Sequence, residues 1–167
     1  MATMTVFKFP NADGAERGLD LVKDLSRDRL ITLQDAAIVT WPQGAKKPKT
    51  RQLHDLVGVG ALDGAFWGML FGLIFFVPFF GLAIGAAIGA LSGKFTDVGL
   101  DDSFIKQVRD QVTEGTSALF LLTRDAVIDK VADRVKAAEA AGLSKPEIIA
   151  TNLSNEEESK LREAFAI

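Results

Sequence analysis

Few residues in this chain are of types that do chemistry. His54 is the single histidine and stands beside Asp55. An imidazole next to a carboxylate titrates near neutrality and can carry a proton. Nucleophilic catalysis also requires an activated hydroxyl or thiol held against that base, and the chain has no cysteine. Asp97, Asp101 and Asp102 form an acidic group. A hard cation needs several converging oxygen ligands, and a linker followed by a helix N-cap accounts for these acids more simply. Glu156, Glu157 and Glu158 fall where a helix would begin, and negative charge there complements the helix dipole. Lys46, Lys47, Lys49 and Arg51 are either a solvated turn or a contact for anionic headgroups, each worth about 1 kcal/mol close to a charged membrane surface. No glycine pattern follows a strand and opens a helix, as a phosphate loop requires. The residues give no catalytic, cofactor or metal site, and the expectation is a protein that is not an enzyme. An enzyme or small-ligand binder built on the sheet finds no positive support.

The elements that must carry the function are organised around Gly64–Gly93. This stretch has no Asp, Glu, Lys, Arg, His, Asn or Gln, and six of the twelve phenylalanines lie in it. Its glycines, with Gly60, recur every fourth residue: Gly60, Gly64, Gly68 and Gly72, then Gly81, Gly85, Gly89 and Gly93. Such a spacing lines one face of a helix. Glycine costs up to about 1 kcal/mol per helical site relative to alanine, so close approach of another backbone must offset it, as in small-xxx-small helix contacts. Pro78 lacks the amide that a continuing helix needs and biases Val77 away from helical angles. The spacing predicts a helical hairpin with a first arm near 56–77, a turn at Pro78 and a second arm near 79–95. The eight glycines and Pro78 are the expected self-association site.

Around this hairpin the chain reads as an ordinary α/β sequence. Thr5–Phe9 alternates as a strand. Asp13 with Glu16 resembles a capping box, followed by a stripe of Ala15, Leu19, Val22 and either Leu25 or Ser26 to about Arg29. Leu33–Trp41 is a second strand, with Leu33, Ala37, Val39 and Trp41 on one face and Ala36 and Ile38 on the other. Lys49–Asp55 is a polar third strand, an edge guarded by charge. Asp101 or Asp102 caps a helix with Phe104, Val108 and Val112 in line, ending at Gly115. Ser117–Thr123 is an apolar run of the kind covered on both faces of a sheet. Asp125 caps a helix through Val127, Val131 and Val135 that ends at Gly142. Pro146–Thr151 is a last strand, and Ser154 with Glu157 opens a helix over 155–165.

The expected fold is therefore α+β. Its first six elements outside the insertion are βαββαβ, a ferredoxin-like core, with the glycine-zipper hairpin inserted after the third strand. A C-terminal α-β-α extension follows, whose last strand and helix extend or cover the sheet. The corresponding parts are 1–55 and 96–167 for the α/β portion and 56–95 for the hairpin. A net charge of -3 lacks the basic footprint of a nucleic-acid binder. The start, MATMTVFKFPNADG, lacks the basic and apolar regions of a secretory signal, and the expectation is that the α/β portion sits in the cytoplasm.

The glycine hairpin, GKFTDVGLDDSFIKQV, the SALFLLT strand and the tail IIATNLSNEEESKLREAF together resemble the bacterial family called domain of unknown function 1269, over residues 6–165. The resemblance implies a bacterial protein with a membrane assignment and supplies no catalytic residues.

Length bears on how the hairpin is covered. A spanning helix needs about 20 apolar residues, and arms of about 14–16 residues reach only about 21–24 Å. Three arrangements stay open: the hairpin crosses the bilayer twice, dips into it, or is buried among copies of the chain. A small domain has little interior to cover two helices that are apolar all round, and exposed they would aggregate. The expected function is thus a non-enzymatic, self-associating, membrane-associated protein, a homo-oligomer through its hairpin, in contact with the lipid bilayer at the cytoplasmic membrane. The alternative is a soluble, cytoplasmic homo-oligomeric scaffold or compartment-like assembly with the hairpins inside. Lys46, Lys47, Lys49, Arg51 and Lys94 flank the hairpin as the positive-inside tendency would have it. Trp67 reads either as an interfacial anchor or as an aromatic in a packed helix.

Overall fold

The computed structural model describes residues 3–52, 64–76, 102–124, 128–143 and 145–151. Five strands form one antiparallel sheet: β1 (Thr3–Phe9), β2 (Thr32–Thr40), β3 (Lys49–Gln52), β4 (Ser117–Arg124) and β5 (Glu147–Thr151). Their order is β3-β2-β4-β1-β5. The helices among the described residues are α1 (Gly14–Arg27), α2 (Gly64–Phe71), α3 (Asp102–Gln111) and α4 (Ile128–Ala140). α2 continues as a π-helical turn over Gly72–Phe76. The architecture is α+β.

β4 takes the middle of the sheet, as its unbroken apolar run requires. Leu119 and Leu121 are buried on one face, and Ala118, Phe120 and Leu122 on the other. β3 is an edge and presents Lys49, Thr50 and Arg51 to solvent, the charge protection that its sequence foretells. β4, not β3, lies between β1 and β2. The four strands of the first six elements therefore run β3-β2-β4-β1, and β5 takes the other place beside β1.

Each face of the sheet carries its own core. On the first, α1 buries Ala15, Leu19, Val22 and Leu25 against Phe9, Ala36, Ile38, Leu119 and Leu121. α4 joins α1 there through Val131 and Val135, with Ile148 of β5. On the second face, Met4, Val6, Ala37, Val39, Phe120 and Leu122 meet Trp67, Leu70, Phe71, Ile74 and Phe75 from α2 and its π-helical turn, and Phe104 and Val108 from α3.

Two local expectations fail for identifiable reasons. Asp13 occupies the N-cap of α1 but makes no side-chain cap. Its φ of -103° and ψ of -4° are those of the right-handed helical region rather than of the extended cap conformation. The orphan amide of Ala15 is instead satisfied by Ser117 Oγ at 2.9 Å, and Glu16 turns outward to Arg51. Leu33 packs on the α1 face, away from Ala37 and Val39. A register shift between Leu33 and Asp35 inserts Gln34 as an extra residue, which moves Leu33 to the opposite face.

The sheet has a whole second face, and the first arm of the apolar stretch, where described, lies on it. The final helix expected at 155–165 lies outside the described residues, as do 53–63 and 77–101.

Candidate functional site

The seating of α2 on the sheet gathers the polar and aromatic chemistry of the second face. Asp35 is fully buried. A carboxylate removed from water is tolerated only when its oxygens are hydrogen-bonded. Its Oδ1 accepts from the Ala36 amide at 2.8 Å. Its Oδ2 accepts from Trp67 Nε1 at 2.8 Å and from Gln52 Nε2 at 3.2 Å. Asp35 lies on this face by regular alternation with Ala37 and Val39, paired opposite Leu122 in β4. One carboxylate thereby ties together β2, the end of β3 and the first turn of α2.

From that polar point the aromatic contacts run along the helix. Trp67 stacks on Phe71 with centroids 5.6 Å apart and meets Phe120 edge-on at 6.2 Å. Phe71 meets Phe120 edge-on at 5.2 Å. Phe75 closes the row against Trp41, edge-on at 6.2 Å. Such pairs contribute roughly 0.5–1.5 kcal/mol each beyond their buried area. Arg109 of α3 clamps the far end, its Nε donating to the Ile74 carbonyl at 3.0 Å. Trp67 is thus an aromatic in a packed helix, 2% exposed.

The glycines of the same helix look away from this seat. Gly68 is exposed, Gly72 is half-buried, and a Cβ added at either would meet nothing within 4 Å. Gly64 opens α2. Gly60, Pro78, Gly81, Gly85, Gly89 and Gly93 lie outside the described residues, and with them the turn and the second arm of the expected hairpin. His54, Asp97, Asp101, Glu156, Glu157 and Glu158 also lie outside them. Asp102 begins α3. Among the described residues no group of three or more His, Asp or Glu side chains is placed to hold a metal ion. No helix among them is long and apolar enough to cross a membrane.

Sequence reading passed over Asp35 altogether. Its signal was present: an aspartate, poorly suited to strands, inside the strand TLQDAAIVT. Gln52 gave no signal, being one polar residue in a polar strand.

No curated protein and no solved structure matches the chain. The model of the family described as "Protein of unknown function (DUF1269)" matches residues 61–166. That is narrower than the 6–165 expected from the motifs, and it leaves out β1, α1, β2 and β3. It contains α2, α3, β4, α4 and β5, the glycine-rich stretch and the apolar central strand, and on that match the chain belongs to the DUF1269 family.

Proposed function

We propose that this chain is a non-enzymatic, self-associating protein whose hairpin packs its glycine edge against copies of itself at the cytoplasmic membrane. The observation that carries the reading is the division of labour on α2. Among the described side chains of α2 and its π-helical turn, Trp67, Leu70, Phe71, Ile74 and Phe75 pack on the sheet, while Gly68 is exposed and a Cβ there would meet nothing within 4 Å. A bare backbone strip on an otherwise anchored helix suits close approach by a second helix. The membrane part of the reading rests on the sequence that follows, uncharged from Val77 to Gly93. The strand set β2-β4-β1-β5, with α1 joining β1 to β2 and α4 joining β4 to β5, supports a ferredoxin-like reading of the scaffold. In that reading β3, α2 and α3 are additions to it.

Gly68→Leu tests the self-association directly. The added Cβ meets nothing within 4 Å in the protomer, so the variant is expected to keep its fold while its edge is blocked. Light scattering coupled to size exclusion should show a smaller particle than wild type. An unchanged mass rejects the glycine edge.

A soluble assembly with the hairpins inside is the second reading. It is favoured by the docking of α2 on its own sheet, which removes that arm's apolar face from any need for lipid. Alkaline carbonate washing of a membrane fraction separates the two. Retention in the pellet supports membrane association, and release as a large particle supports the soluble assembly.

A further inference from the structure

One end of the sheet brings a basic turn to the point where the described part of the apolar stretch ends. α2 starts over Asp35, where Trp67 is bonded, and its π-helical turn ends over Trp41, where Phe75 packs. Residue 76 therefore arrives beside the 42–48 turn that follows β2. The ring that receives Phe75 also holds the turn: Trp41 Nε1 donates to the Ala45 carbonyl at 3.0 Å. Ala45 N donates to the Pro42 carbonyl at 3.1 Å, and the Gly44 amide donates to the Glu114 carboxylate. The turn is fastened as well to the start of β4, since Trp41 N donates to the Thr116 carbonyl at 3.0 Å and Gly115 N to the Trp41 carbonyl at 2.7 Å.

On this fastened turn Lys46 and Lys47 are exposed, and Lys49, also exposed, follows at the start of β3. Their ammonium groups form no ion pair among the described residues. Arg51, two residues further, is engaged differently: its Nη2 donates to both carboxylate oxygens of Glu16, at 2.7 and 2.8 Å. Glu114 is the acid bonded to the turn and offsets part of its charge. The stretch that leaves residue 76 carries no charged side chain until Lys94. Exposed cations without an ion pair among the described residues, beside the start of an uncharged apolar sequence, match an anionic bilayer surface, which attracts the cations while its acyl region accepts the segment.

We propose that Lys46, Lys47 and Lys49 form the contact with anionic phospholipid headgroups that orients the sheet on the membrane. The proposal rests on the membrane-association reading above. It is tested by flotation of the full chain with vesicles of phosphatidylcholine alone and of phosphatidylcholine mixed with phosphatidylglycerol. The lysines are exchanged together for Gln, and separately together for Arg.

The wild type is expected to prefer the anionic vesicles and to lose that preference in high salt. The Gln variant should bind them about 10- to 100-fold more weakly, at up to roughly fivefold per lysine. The Arg variant should bind like wild type, which excludes a folding defect as the cause. Equal binding to both vesicle types, or an unaffected Gln variant, overturns the headgroup contact and leaves membrane association through the hairpin standing. Failure to bind either vesicle overturns both. A Gln variant with a smaller particle mass in the absence of vesicles assigns the turn to a contact between copies and overturns the proposal.

Discussion

The two faces of the sheet are covered by helices of different character. On one face α1 and α4 are amphipathic, with acids and bases outside and a regular apolar stripe inside. On the other, beside the amphipathic α3, α2 is apolar all round and is oriented by a buried carboxylate and by aromatic bulk. An amphipathic helix has its rotation fixed by water, since turning it would expose the stripe. A helix that is apolar on every side has no such preference. Its rotation must come from shape and from a directional polar bond, and here Trp67 supplies both. The comparison teaches that the polar group on the α2 face is there for orientation, whereas on the α1 face polarity is simply what remains outside.

The sharpest way to break this comparison is to remove the aromatic anchor. Trp67→Ala is expected to cost about 3–5 kcal/mol in denaturant unfolding, as for large aromatic truncations in cores. It should also weaken the near-ultraviolet circular dichroism of the aromatic row. A loss no larger than that of a surface substitution would show that α2 is held elsewhere.

Orientation separates from bulk at Asp35. Asp35→Ala leaves the Trp67 indole N–H without this acceptor, at about 1–3 kcal/mol, whereas Asp35→Asn keeps an oxygen for it and should lose less. Equal losses in equilibrium unfolding would deny the hydrogen bond its role.

Glycines sharpen the contrast further, because the same substitution should have opposite signs on the two faces. At Gly18 in α1 an added Cβ comes within 2.5 Å of Phe9 Cζ, and Phe9 is buried with little room to move. Gly18→Ala should destabilise by about 1–3 kcal/mol. At Gly68 the space is open, so Gly68→Ala should raise protomer stability by about 0.5–1 kcal/mol through helix propensity. Thermal scans of the two variants check the sign. The smallest effect is expected at the rim: the Arg51–Glu16 pair is half exposed, and Arg51→Met should change stability by under about 1 kcal/mol.

What the sequence disclosed follows the same division. The stripe Ala15, Leu19, Val22 and Leu25 reads directly as a buried face because its polar neighbours mark the other side. SALFLLT reads as a central strand because no position in it tolerates water. The seat of α2 was not legible, since a uniformly apolar helix does not say which side docks. Asp35 was missed because its burial depends on Trp67 arriving from a helix more than thirty residues away, and such a contact leaves no mark in the strand's own composition. The placement of β5 beside β1 was equally hidden, because pairing between distant strands leaves no local pattern.

The position of β1 between β4 and β5 bears on how the molecule can be cut. The family match begins at residue 61 and so excludes β1 while including both of its partners. A fragment trimmed to that boundary would hold two strands with no neighbour in common and a row of unpaired amides along each. Such edges recruit other chains, and the fragment should precipitate. Mixed with a separate peptide spanning the first 52 residues, it should dissolve by regaining the missing middle strand. The smallest piece able to fold alone is therefore larger than the homologous block.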